Sequence, residues 1–341
     1  MTIRIVGVGK ALPARVLTNA DLEKMVDTSD QWIVDRTGIR ERRIAAPHES
    51  AASLGTDAAR MALRTAGLGP EDIDLVLCAT CTPDGMFPSS ASLIQDAIGA
   101  RGVAAFDVNA ACAGFIAALS TGARFVEAGA YRRVLVIGVD VLSRIIDWTD
   151  RTTCVLFGDG AGAVVIEAAA RPGLTPFLIK SDGAAAKFLY AHGPATAPAS
   201  MAEQEGFCIV MDGREVFRFA VRAMEEISSQ VLHAAGLGVA DIAYVVPHQA
   251  NLRIISAVAK ALGLPPERMI VNIESYGNTS SASIPVALCE AWEQGKLKES
   301  DNLLLVAFGG GLVWGASVVE WARLGCERQG VAGPVAEAAS I

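Results

Sequence analysis

The chain has 341 residues, a formal net charge of −8, and 52% hydrophobic against 19% charged residues. That balance supports a large buried core, in two ordinary domains or one large α/β unit, and argues against general nucleic-acid binding. Seven irregularly spaced cysteines do not read as a disulfide framework, no apolar run reaches the length of a membrane span, and MTIRIVGVGK carries no secretory h-region, so a cytoplasmic protein is expected.

Residues 3–13, IRIVGVGKALP, read as a strand and a Gly turn. Leu12 stands where a dinucleotide fingerprint needs its third glycine, and Pro13 follows where a helix should run, which argues against a nicotinamide enzyme. Helical patterns follow at 19–26 and 53–66, with the arginine-dense WIVDRTGIRERR (32–43) between them. Cys78 and Cys81 form a C-x-x-C without a second pair, a poor signal for zinc or redox use. A strand-like run, VAAFDVN (103–109), leads to Cys112, and helical spacing begins just after it, at Phe115 and Leu119. Cys112 is therefore expected at a strand-to-helix turn, where unpaired N–H groups and the helix dipole lower a thiol pKa. Residues 181–212 are poor in periodicity and rich in Ala, Gly and Pro, an irregular excursion of the kind that forms lids or binding loops; little structure is expected at the end of the chain.

Two internal echoes suggest a duplication. AGLGPEDIDLVL (66–77) and AGLGVADIAYVV (235–246) share seven of twelve positions, and FGDGAGAVVIE (157–167) resembles FGGGLVWGASVVE (308–320). Each half is expected to be a layered βαβ-type unit with its own sheet, divided near the turn-rich ARPGLTP. The repeat puts His248, in VVPHQANLRII, at the C-terminal end of a buried strand, where α/β sheets place ligands. Asn278 lies in the polar loop SYGNTSSASIP ahead of a helical pattern, and the FGGG turn (308–311) lets backbone approach a substrate. Alone, each of these residues has an ordinary structural explanation. Together they bring a Cys, a His, an Asn and a Gly turn to strand ends.

At this point the chain resembles the beta-ketoacyl-acyl carrier protein synthase III family, the initiating condensing enzymes of the thiolase superfamily. The likeness rests on WIVDRTGIRERR, DVNAACAGF, DWTDRTTCVLFGDGAGA, MDGREVFRFAV, PHQANLRII, GNTSSASIP and AFGGGLVWG, in family order over nearly the whole chain. It implies an α/β fold, a five-layered αβαβα sandwich of two duplicated halves, here 1–170 with the nucleophile and 171–341 with the His and Asn. It also implies decarboxylating condensation of an acyl-CoA primer, acetyl-CoA first, with malonyl-acyl carrier protein. Cys112, His248 and Asn278 would be catalytic, with backbone N–H groups of Cys112 and Gly310 as the oxyanion donors. Trp32 and Arg151 would sandwich the adenine of coenzyme A, Arg36 would meet its phosphates, Arg214 would line the pantetheine tunnel, and Asn251 would orient the loop. Arg218, Arg253 and Lys260 would dock the acidic carrier protein, with Ala261 where some relatives carry a second base. Phe87 would cross a homodimer interface to wall the partner's acyl pocket. No metal and no resident cofactor are implied, since the coenzyme A thioester is a substrate; no nucleic acid or membrane partner is implied either. Two other readings are weighed: a secondary-metabolite condensing enzyme or acyltransferase with another primer or acceptor, and a cysteine hydrolase using the same three residue types. The arginines matched to the coenzyme A site disfavour the hydrolase.

Overall fold

The computed structural model describes residues 2–169, 174–193 and 208–325. Strands β1 (Thr2–Ala11), β2 (Leu75–Ala79), β3 (Ala104–Val108), β4 (Arg133–Val141) and β5 (Asp159–Ala169) form one sheet, in the order β1-β5-β4-β2-β3. Strands β6 (Leu174–Ser181), β7 (Ile242–Pro247), β8 (Asn302–Gly309) and β9 (Val313–Glu320) form a second, in the order β7-β8-β9-β6. Most of these strands are continuous apolar runs, which fits sheets covered on both faces.

The longer helices are α1 (Asp30–Thr37), α2 (Ala51–Ala66), α3 (Ser90–Ile98), α4 (Gly114–Glu127), α5 (Gly213–Ala235), α6 (Leu252–Ala261) and α7 (Ser283–Glu293). Alternation along the strands separates three apolar layers. Leu75 and Leu77 of β2 and Val134 and Val136 of β4 face inward, onto Phe115, Ile116 and Leu119 of helix α4 and Ile284 and Leu288 of helix α7. On the far side of those helices lie Val246 of β7 and Leu303 and Leu305 of β8. The alternate residues Val76, Cys78, Leu135 and Ile137 face outward, against helices α2 and α3. Leu304 and Val306 of β8 likewise face helices α5 and α6. The molecule is thus a five-layered αβαβα sandwich.

The sequence echo at 66–77 and 235–246 has a structural counterpart. Gly67 and Gly236 both end their helices in the left-handed conformation, with φ of 68° and 70°. The N–H of Leu68 reaches back to Leu63 O at 3.0 Å, and Leu237 to Leu232 O at the same distance. Asp72 then caps Gly69 N at 2.9 Å, and Asp241 caps Gly238 N at 2.8 Å. The sheets match as well. β2 pairs parallel with β4, β4 antiparallel with β5, and β5 antiparallel with β1. β7, β8, β9 and β6 repeat that pattern. A parallel bridge from Val245 to Met269 stands where β3 stands in the first sheet.

Gly7 and Gly9 lie inside β1, where a Cβ would collide with the backbone of α2. They serve close packing, not a phosphate loop. Asn19–Leu22 forms a single turn where the sequence suggested a longer helix. In the 181–212 excursion, Gly183–Phe188 forms 3-10 turns, and Leu189–Tyr190 pairs with Val210–Met211. Residues 194–207 of the excursion, the expected half boundary at 170–173 and the end of the chain from 326 lie outside the described residues.

Candidate active site

Cys112 sits in a 3-10 turn, Ala111–Ala113, between β3 and α4. No side chain caps α4; the N–H of its first residue, Gly114, turns back onto Ala111 O within the turn that carries Cys112. Gly309, at the end of β8, backs directly onto this turn. A Cβ there would lie 2.6 Å from Cys112 N, so only glycine lets the second sheet close on the nucleophile. Gly310 follows, and a Cβ there would lie 3.7 Å from the Ala111 Cβ.

His248 leaves the C-terminal end of β7, its N–H bonded to Val306 O at 2.8 Å. The ring is buried, and its Nδ1 lies 2.6 Å from Ser283 Oγ. Burial pushes its pKa down to about 3, so the imidazole is neutral at physiological pH. Nε2 has no hydrogen-bond partner among the described residues. Asn278 accepts the Ser280 N–H on Oδ1 at 2.8 Å, and its backbone is pinned to Leu156 O, also at 2.8 Å. Its Nδ2 has no partner among the described residues either.

All three side chains line one cavity of about 740 Å³, with Gly309 and Gly310. Its wall is mostly apolar, including Leu142, Leu156, Phe157, Leu189 and Ile209. Such a site holds an acyl chain and keeps water from a reactive intermediate.

One expectation is reversed. The helix N-terminus was expected to lower the Cys112 pKa, yet burial pushes the thiol up to about 12. A dipole contribution of roughly 0.3–1 kcal/mol is too small to offset desolvation this deep. Ser280 pulls in the lowering direction and is the largest influence to do so.

A second cavity, of about 940 Å³, adjoins the first through Leu156, Tyr190, Met211, Gly213, Phe217 and Asn251. Trp32, Arg36, Arg214, Arg218 and Arg253 line it. It is a basic, aromatic vestibule on a chain of net charge −8, suited to an anionic nucleotide end. Asn251 caps α6 by accepting the Arg253 N–H at 2.8 Å, and donates from Nδ2 to Arg36 O at 3.0 Å. It therefore ties α1 to α6.

Arg36 and Arg151 lie 4.7 Å and 5.4 Å from the Trp32 ring centroid. Arg151 also donates to Asp27 O at 2.6 Å. A base stacked between two planes needs about 7 Å, twice an aromatic contact distance. The expected Trp32–Arg151 sandwich is therefore closed here, and Arg151 must swing away to admit a ring. Lys260 lines neither cavity; it is exposed on α6, two turns beyond Arg253. Phe87 is 85% exposed and does not line its own chain's cavity, although Gly85 and Met86 do.

Sequence reasoning missed the carboxylate that braces the site. Asp140, fully buried on β4, accepts Cys81 N at 2.8 Å and the Thr80 and Thr82 hydroxyls at 3.1 Å on Oδ1. On Oδ2 it accepts Ser281 N at 3.1 Å and Ser281 Oγ at 2.7 Å. It thus fastens the Asn278 loop to the first sheet. A single acid inside the apolar run VLVIGVDVL was the available signal.

Two family models match this chain, both described as 3-oxoacyl-[acyl-carrier-protein] synthase III: one over residues 106–191 and one, its C-terminal part, over 232–321. The chain is 51% identical to a beta-ketoacyl-[acyl-carrier-protein] synthase III of Symbiobacterium thermophilum over 94% of this chain and 98% of that one. The Listeria monocytogenes enzyme of the same name is 49% identical over 95% of this chain and 100% of its own. The chain belongs to the beta-ketoacyl-acyl carrier protein synthase III family. Its fold superposes on the crystal structure of the Aquifex aeolicus synthase with a TM-score of 0.88 at 48% identity, covering 94% of this chain and 100% of that one. It also superposes on the priming beta-ketosynthase of the R1128 polyketide pathway, with a TM-score of 0.89 at 37% identity, over 94% and 96% of the two chains. The fold is therefore that of the thiolase-like synthases, and the protein is an acyltransferase, an initiating condensing enzyme of fatty-acid synthesis. No helix among the described residues is long and apolar enough to cross a membrane.

Proposed function

We propose that this synthase III condenses a short acyl primer from acyl-CoA, acetyl first, with malonyl-acyl carrier protein through an acyl-Cys112 intermediate. Cys112 Sγ attacks the primer's carbonyl carbon, the C–S bond to coenzyme A breaks, and the thiol of coenzyme A leaves. Malonyl-acyl carrier protein then loses CO₂, and the electron pair of that C–C bond moves onto its thioester as an enolate. His248 Nε2–H and Asn278 Nδ2–H donate to the enolate oxygen. The enolate carbon attacks the acyl-Cys112 carbonyl, backbone N–H groups of Cys112 and Gly310 hold the oxyanion, and collapse frees the Cys112 sulfur. A neutral His248 suits this step, because an imidazolium would protonate the carbanion before it reached the acyl carbon.

One observation carries this reading. The cavity is lined by a thiol, an imidazole and an amide whose Nε2 and Nδ2 have no protein partner among the described residues, while Ser283 and Ser280 hold their other polar atoms. Trp32, Arg36, Arg151 and Arg214 would hold coenzyme A in the vestibule, with Asn251 bracing them. Arg218, Arg253 and Lys260 would meet the carrier protein. The reaction would need no metal and no resident cofactor. The halves 1–170 and 171–341 would be duplicated units, as their matching caps and strand pairings suggest. The exposed Met86 and Phe87, at 72% and 85%, favour a homodimer whose Phe87 walls the partner's pocket. The six described cysteines are all free, in keeping with a reducing cytoplasm.

The test separates the half-reactions. His248→Ala should still load an acetyl group from acetyl-CoA but should decarboxylate malonyl-acyl carrier protein about 10²–10³ times more slowly. Normal condensation by His248→Ala would reject the assigned role. The likeness to a polyketide priming enzyme keeps a secondary-metabolic primer as a second reading; a panel of acyl-CoAs decides between them by loading rate.

A further inference from the structure

Ser280 combines three features that structure alone does not favour. It is a non-glycine residue at φ +51°, in the left-handed region that disfavours side chains. It is 1% exposed. Its hydroxyl is buried with no hydrogen-bond partner, although the residue lines the cavity that holds Cys112, His248 and Asn278. Glycine at this position would relieve the backbone and remove the orphan hydroxyl together.

The residue is held from both sides. Its N–H is bonded to Asn278 Oδ1 at 2.8 Å. The next residue, Ser281, donates through Oγ to Ala79 O at 2.9 Å and to Asp140 at 2.7 Å. Gly138 leaves room for the Ser281 carbonyl against the first sheet. The Ser280 backbone is thus fixed in the cavity wall that it shares with Cys112 and Cys81, and its hydroxyl favours the ionised form of both thiols. Cys81 is already engaged, since its Sγ lies 3.3 Å from Asp140 Oδ1, and burial and that carboxylate keep it a neutral thiol. That leaves Cys112 as the sulfur able to use the donor.

We propose that Ser280 is a catalytic residue of this synthase, its Oγ–H donating a hydrogen bond to Cys112 Sγ whenever that sulfur carries negative charge. This rests on Cys112 being the acyl-accepting nucleophile. Charge develops there twice per turnover: when the thiolate attacks the primer, and when the tetrahedral adduct collapses and returns the sulfur. A buried sulfur with no donor would resist ionisation at both moments, and a charge-assisted bond from the Ser280 hydroxyl answers that. The buried hydroxyl stays orphaned in the resting thiol state because its acceptor is the thiolate.

The test compares Ser280→Ala and Ser280→Gly. Both remove the hydroxyl, but only glycine removes the backbone strain. The first readout is the pH profile of Cys112 alkylation by iodoacetamide, located by peptide mass, which needs no substrate. The second is the single-turnover rate of loading from acetyl-CoA. The midpoint of the alkylation profile should rise by about one pH unit in both variants, and loading at neutral pH should slow about 10-fold in both. A wild-type profile in Ser280→Ala would overturn the proposal, and a shift in Ser280→Gly alone would assign the effect to relief of backbone strain. If wild type itself loads no acyl group, the nucleophile reading has failed, while the alkylation profiles still report whether Ser280 acts on Cys112.

Discussion

Replacing Asp140 with asparagine keeps the size of the side chain and exchanges one acceptor oxygen for an NH₂ donor. In the native protein one carboxylate oxygen accepts the Cys81 N–H and the other accepts the Ser281 N–H. The Thr80, Thr82 and Ser281 hydroxyls can rotate to accept, but these two backbone N–H groups cannot. Whichever way the amide turns, its NH₂ faces a backbone donor in a fully buried site. An orphaned buried donor costs about 1–3 kcal/mol, and weakening the charged bonds adds to it, so Asp140→Asn should lose about 2–4 kcal/mol. Equilibrium urea unfolding would read this as a midpoint roughly 1 M lower. Because Ser281 directly follows Ser280 and lies three residues beyond Asn278, the condensation rate should fall with stability, by about 10-fold. An Asp140→Asn enzyme within ~0.5 kcal/mol of wild type, with an unchanged condensation rate, would refute Asp140 as the brace of this loop.

Further outcomes follow from single contacts. Gly309→Ala should abolish acyl loading while the second sheet still forms, because the new Cβ would lie 2.6 Å from Cys112 N and drive the nucleophile off its position; stopped-flow release of coenzyme A would read it. Trp32→Ala should raise the KM for acetyl-CoA about 10-fold or more with kcat little changed, since a stacked base contributes about 1–3 kcal/mol. Stability should fall on mild acidification. His248 titrates at about 3 when folded against 6.5 in its ordinary state, so the unfolded chain binds the extra proton first. The stability this group contributes is complete above about pH 6.5 and is lost as the pH falls toward 3. At pH 5 the loss is about 2 kcal/mol. His248→Gln should flatten that part of the pH profile, as measured by urea unfolding from pH 7 to 5.

Much of the architecture was legible because its signals are local. The Gly caps at Gly67 and Gly236, the buried strands after them, and the strand–turn–helix around Cys112 each depend on a few adjacent residues. The placement of His248 at a strand end followed from the repeat, since β7 occupies the position in its sheet that β2 occupies in the other. What escaped the sequence is long-range. Asp140 and Ser281 stand 141 positions apart and meet only because β4 and the Asn278 loop converge. Ser283 looks like an ordinary first-turn residue of α7 until His248 arrives beside it. The direction of the Cys112 shift was misjudged for a related reason: a helix start is visible in sequence, whereas depth of burial belongs to the assembled layers. The exposure of Phe87 came from the family resemblance alone, because by its residues an aromatic in a loop reads equally well as core.

The central claim is that Cys112 carries the acyl group between two substrates. Intact-mass measurement of the enzyme after incubation with acetyl-CoA, with Cys112→Ala as control, tests it most directly. A single acetyl adduct is expected on wild type and none on Cys112→Ala, with loss of that adduct as 3-oxoacyl product forms on addition of malonyl-acyl carrier protein. An adduct of equal yield on Cys112→Ala, or free acetate accumulating from wild type without an adduct, would contradict it.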